Sequence, residues 1–390
     1  MVVLLAMVAE PCSVSIARKL WAKKPGAESK LFAFERNGRV GFIDPSGKVI
    51  IKPMVIAPIE DVGDFSNNRA RVKRQGYIDE TGTLVIRGDY SYLWDFSDGL
   101  VRVTVDDPSQ KYRDSGLVLD SAGKTVAKVP AFRTREFSEN LAAYEAESKP
   151  GVRRFEPGNL VYRDYPGLKG FIDRTGNVVI KPAFADVGPF VGGLARAALD
   201  GYCHLATWEG GREGTPTTGY PSGCGGAPAD AVSPCAVGFI NPEGSFAIQP
   251  RFESAQDFHE KLAAVKVDGL WGFINTEGTL VIPSRFEQTQ SFHEGLAAVK
   301  MNGKWGFVDK AGVFTIPPRF EAVEPFSDSL ALAYRSGRAS YIDRKGRTKI
   351  AGPFREATPF VHGLAAVLLT ERRVAYIDQT GKTVFEYSRR

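Results

Sequence analysis

No run of 18 or more apolar residues occurs in the sequence, which excludes an ordinary membrane-spanning helix. No basic run stands out either. Lys+Arg 50 against Asp+Glu 45 gives a net charge of +5 over 390 residues, and nucleic acid is not indicated as a partner. HExxH, GxSxG and a phosphate-binding glycine loop are all missing, so the commonest hydrolytic and nucleotide chemistries have no foothold. Cysteine and histidine are scarce, at four each. Cys203, Cys224 and Cys235 share one stretch with His204, but their spacing matches no common zinc motif. No metal or other cofactor is expected.

Glycine (41) and proline (24) are plentiful, and the apolar share of 43% is ample for a continuous core. This is the composition of many short strands joined by turns. The order is repetitive. Gly238 to Trp271, Gly272 to Trp305 and the stretch from Gly306 are near copies, 34 residues apart. A period of that size marks a tandem-repeat architecture. In all units but one, where Val118 stands, an aromatic residue follows the glycine slot (Phe273, Phe307). Asp or Asn comes two residues later and Gly three after that, in all nine units. Examples are Asp44 with Gly47, Asp173 with Gly176, Asn275 with Gly278, and Asp309 with Gly312. The Asx side chain caps a turn and the Gly supplies positive φ, so the pair reads as a structural hairpin turn. A calcium ladder is the competing reading, but it needs six or more oxygens converging on one point. Each unit supplies one Asx.

A second hairpin precedes the first, as in LAAVK-M-NG-KW, where Asn302-Gly303 signals a type I′ turn. Each unit is thus expected to be a three-stranded meander. Strand A resembles LAAVK, strand B WGFVD and strand C VFTIP, with Pro ending strand C. The connection to the next unit carries two Phe anchors and a Leu (Phe286, Phe292, Leu296), which fill the space between units. His259 and His293 share one slot of that connection, and His362 is offset by one. They read as solvent-facing copies of a loop residue.

Trp271-Gly272-Phe273 and Lys304-Trp305-Gly306-Phe307 resemble the WG (KWG) repeat of bacterial proteins. The resemblance covers about residues 31–387. It implies tandem β-rich repeats, often exported, with no common catalytic activity. The array opens on a strand A and closes on a strand C, so no unit is split between the chain ends. The fold expected is all-β, about nine three-stranded antiparallel units in an elongated, curved, solenoid-like array, with a closed propeller-like ring as the alternative.

Residues 1–30 form a lead. Its apolar run Val2–Ala9 and the small-residue site Ser15-Ile16-Ala17 suggest a signal peptide, although a basic start is missing; an N-terminal strand is the other reading. An exported or periplasmic location follows from the first, a cytoplasmic one from its failure. The units are regular from 238 onward. Earlier ones carry insertions between strands A and B near 106–114, 147–166 and 202–237. In the last of these, Cys203 follows a strand A and Cys235 precedes a strand B, so antiparallel pairing would bring them within reach of a disulfide. Three unpaired thiols is the alternative. The function expected is a non-enzymatic scaffold that binds a protein or glycan partner at the cell envelope. The alternative is an enzyme with its site among the insertions.

Overall fold

The computed structural model describes residues 30–106, 114–130, 134–146, 154–156, 159–161, 167–198, 236–352, 354 and 356–388. The repeats form nine small antiparallel sheets in chain order, with one extra two-stranded hairpin. The seventh sheet shows the plan. Its strands are Gln288–His293, Leu296–Met301, Lys304–Asp309 and Phe314–Phe320, paired in that order. The last three are the expected A, B and C. The first is a lead strand drawn from the connection, where no strand was expected. It is as short as two residues elsewhere, as in Ala322–Val323 against Tyr334 and Ala333. The units are therefore four-stranded, except that among the described residues the first sheet has three strands. In the second the lead strand shrinks to the Val62–Val72 bridge.

Turn chemistry sets the sheets locally. Asn302 and Gly303 have φ of 52° and 70°, as a type I′ turn requires. At the B–C turn, Asp309 Oδ1 accepts from the amides of Ala311 and Val313, both at 2.9 Å, while Gly312 has φ of 80°. Asp44 Oδ1 accepts from Ser46 and Lys48, Asp173 Oδ1 from Thr175 and Asn177, and Asn275 Oδ1 from Thr279. Gly47, Gly176 and Gly278 have φ between 81° and 86°.

The Thr380 hydroxyl, 2.6 Å from Asp378 Oδ1, is the main group that holds this carboxyl below its ordinary value, with the Thr380 and Lys382 amides assisting. The lowered folded value means that the turn's stabilisation is complete above the unfolded Asp value, about 3.9, and is lost as pH falls through the folded one. Asp378→Asn should keep the turn at neutral pH, since Asn241 and Asn275 serve the same slot. It should also shrink the difference in melting temperature between pH 6 and pH 3. An acid limb identical to wild type would contradict this.

Packing closes the chain on itself. Each core cluster joins neighbouring sheets. Ala264, Phe273, Ile282 and Phe286 of the sixth pack with Phe292, Ala297, Val299 and Val308 of the seventh. The strand B aromatic meets the next lead-strand Phe edge to face or tilted: Phe273–Phe292 and Phe307–Phe326 are each 4.8 Å apart. Such pairs add about 0.5–1.5 kcal/mol beyond area burial. Each B–C glycine abuts strand C of the preceding sheet; a methyl on Gly312 would lie 2.9 Å from Ile282 Cγ2. The same contact joins the chain ends, since a methyl on Gly47 would lie 2.8 Å from Val384 Cγ1. Phe34 and Ile43 of the first sheet share a core with Leu364, Tyr376 and Tyr387 of the ninth, and the Tyr376 hydroxyl donates to the Ala33 carbonyl at 2.6 Å.

The nine units are thus the blades of a closed β-propeller. This corrects the elongated array expected from the sequence. A ring of whole blades can close by side-chain packing, with no strand shared across the seam, so an array that splits no unit between its ends need not be open. Strand C, with three of its seven residues exposed and only two buried in its typical pattern, is the outer edge of each blade. The lead strand, at the opposite edge, is the inner one.

Candidate functional site

The antiparallel course of each blade places its A–B tip at one end and its other two turns at the opposite end. The insertions of blades 3, 4 and 5 therefore leave the same end of three consecutive blades. In blade 3 the hairpin simply lengthens, with pairing carried out to Asp106 and Asp114. In blade 4 the insertion holds its own small hairpin, Arg154–Glu156 against Asn159–Val161. In blade 5 the pair Ala198–Val237 is the last of the described ladder. Cys203, Cys224, Cys235 and His204 lie outside the described residues, as does most of each insertion. Blades 6 and 7 instead end in two-residue turns. Glu253 accepts from the Gly269 amide and Glu287 from the Gly303 amide, which ties each tip down.

The opposite end carries a belt of contacts from blade to blade. Glu260, Glu294 and Asp328, in the lead-strand turn, accept from the amides of Gly295, Ser329 and Gly363 in the next blade. Lys310 then pairs with Glu260 at 2.9 Å. Arg69 stands in blade 2 where the other units have the strand A leucine, as at Leu296, and its guanidinium donates to the Ser121 carbonyl of the next blade at 3.2 and 3.1 Å. His259 and His293 belong to this belt and are half-buried rather than solvent-facing, with ring centroids 5.0 Å apart. Their slot holds Ser66 and Ser97 in blades 2 and 3, whose hydroxyls donate to the Phe96 and Phe137 carbonyls. His362 occupies the acidic slot in blade 9, with a buried Nε2 that has no hydrogen-bond partner among the described residues. Among those residues no three His, Cys, Asp or Glu side chains converge as a metal site would need, and no helix is long and apolar enough to cross a membrane.

Between neighbouring blades lies a third kind of site. The second residue after the strand A leucine faces the next blade and is alanine in most units. In blades 2, 3 and 5 it is arginine: Arg71, Arg102 and Arg196. Arg71 Nε donates to Asp95 Oδ1 at 2.8 Å and Arg196 Nε to Asp257 Oδ1 at 2.7 Å. Both acids immediately precede the next blade's lead-strand Phe. Arg102 differs, and a small crevice opens beside it. These arginines carry no signal in the sequence, because they are isolated there and only the blade-to-blade stacking pairs them with their acids.

Seven segments, residues 41–75, 76–107, 170–203, 238–271, 271–305, 305–337 and 340–370, match the family described as WG containing repeat. These blades are copies of one propeller repeat, and the chain belongs to the WG-repeat family. No curated protein matches it. Among solved structures it is similar to a crystal structure of the eukaryotic initiation factor, at 11% identity and a TM-score of 0.43, covering 92% of this chain and 95% of that one. It is also similar to BamB from Moraxella catarrhalis, at 10% identity and a TM-score of 0.40, covering 76% and 89%. A third is the C-terminal WD40 domain of Sif2, at 9% and 0.36, covering 72% and 78%.

Proposed function

We propose that the propeller is a non-enzymatic scaffold that holds a protein or glycan partner against the edge formed by residues 106–114, 147–166 and 202–237. The observation that carries this reading is the grouping of all three insertions at one end of three consecutive blades, while blades 6 and 7 keep minimal turns there. Stacking alone selects regularity, and long connections within a compact repeat are uncommon and are usually either functional or disordered. Loops can also vary without disturbing the core beneath them. An envelope location is part of the proposal, supported by the apolar Val2–Ala9 run and the small-residue site after it.

The test is to replace each insertion by an Asn-Gly turn like that of blade 7, and to measure stability and partner capture separately. Capture should fall with the loops while the melting temperature stays within a few degrees of wild type. Full capture by a folded protein lacking all three would move the site elsewhere on the ring.

A further inference from the structure

We propose that the crevice between blades 3 and 4 binds a carboxylate group carried by a ligand, with Arg102 as its anchor. The crevice is lined by Trp94, Ser97, Arg102, Arg135, Glu136 and Phe137, among others. Arg102 is only 9% exposed, and its Nε is buried with no hydrogen-bond partner among the described residues. Its guanidinium lies 3.8 Å from the centre of the Trp94 ring, a cation–π contact that fixes the plane of the fork. Burial lowers its pKa to about 10, with Glu136 pulling the other way, so it is a cation at neutral pH.

A buried cation without a hydrogen-bonded anion is costly, and the sister sites show what is missing. Arg71 and Arg196 each direct Nε at an aspartate just before the next lead-strand Phe. At that position blade 4 has Glu136, one methylene longer and exposed, and Arg102 Nε makes no bond to it. The other polar groups of the wall are already engaged. Arg135 donates to the Val187 carbonyl and to Asp186. The Ser97 hydroxyl donates to the Phe137 carbonyl. Asp95 is held by Arg71. Arg102 is thus the group left to meet a ligand, and a carboxylate is the anion whose two oxygens match the guanidinium fork. The crevice lies at the turn end of the blades, away from the insertions, so it does not depend on the partner edge proposed above.

Trp94 reports on the site. Acetate and a capped peptide amide with one internal aspartate serve as probes, titrated against chloride at constant ionic strength. At least one should give a saturable change in tryptophan fluorescence that vanishes in Trp94→Phe. A response to acetate alone assigns a small organic acid, and a tighter response to the peptide assigns an acidic side chain. Arg102→Met should abolish the response. Should that variant fail to fold, Arg102→Lys, which keeps the charge but loses the fork, should weaken binding tenfold or more. Glu136→Gln should bind at least as well as wild type. Absence of a saturable response in wild type overturns the proposal. A response seen only in Glu136→Gln also overturns it, because Glu136 would then be the anion that fills the site. Equal binding by Arg102→Lys overturns it as well.

Discussion

Replacing Gly306 by valine is expected to cost about 3 kcal/mol, the upper end of ordinary overpacking, and to lower the urea midpoint accordingly. Gly306 faces its own strand C. A β-carbon on Gly306 would lie 2.5 Å from the Ile316 carbonyl oxygen, 2.7 Å from Pro318 N and 2.9 Å from Pro317 C. These are backbone atoms and cannot rotate away. The crowding arises from a bulge: Trp305 pairs with Phe320 but Phe307 with Ile316, so strand C takes four residues where strand B takes two. Pro317 and Pro318 sit in that bulge, where a missing N–H does no harm. Proline therefore does not end the strand, which runs on to the Phe320 anchor. The same double shift accompanies Gly41, Gly170, Gly238 and Gly272. Where it is lacking, the slot holds Leu117, Ser340 or Ala375, or Gly76, whose φ of 126° favours glycine by itself. The paired control is Ala375→Gly, which removes a methyl from an unbulged strand and should cost no more than about 1 kcal/mol. Equal midpoints for Gly306→Val and wild type would show that the bulge yields, and that the slot is conformational habit rather than a steric need.

The parts legible in the sequence were those fixed within one unit. The Asn302-Gly303 turn, the Asp309 and Gly312 turn and the alternation of strands A and B are set by residues a few positions apart, and periodicity reveals them directly. The lead strand was not legible. Two residues such as Ala322–Val323 carry no period of their own and become a strand only because strand A of the same unit offers an edge. Closure was illegible for a related reason. It depends on the small rotation between successive blades, which accumulates over nine units and leaves no mark in any one of them. The Arg102 crevice lies at the same level: Asp95, Glu136 and Asp257 look like ordinary loop acids until stacking sets them against arginines of the blade before.

Replacing Phe34 by alanine should cost about 3–5 kcal/mol, as for a large aromatic removed from a packed core, and should also open the ring. Phe34 is fully buried, and its ring lies 4.8 Å from Phe385 and 6.4 Å from Tyr387 across the join of blades 9 and 1. That join is built differently from its counterparts. At the other joins the strand B aromatic, or Val118 in blade 3, meets a Phe of the next blade's connection, and the Tyr77 and Tyr341 hydroxyls donate to the carbonyls of Trp94 and Thr358 there. Among the described residues blade 1 has no lead strand. Tyr376 instead packs on Phe32 at 5.5 Å and donates to Ala33 of strand A. Among the described residues, side-chain packing and the Tyr376 bond hold the two ends, without the covalent connection that backs every other pair of neighbours. Phe292→Ala, between blades 6 and 7, removes a ring of equal size from a join that the chain itself also spans. It should destabilise to a similar degree with the ring still closed in the folded protein. Small-angle scattering distinguishes the two. The maximum dimension should be compact for wild type and Phe292→Ala, and longer for Phe34→Ala under conditions where the blades remain folded. An elongated profile for wild type, or Phe34→Ala with an unchanged midpoint and dimension, would mean that the seam does not hold the ring.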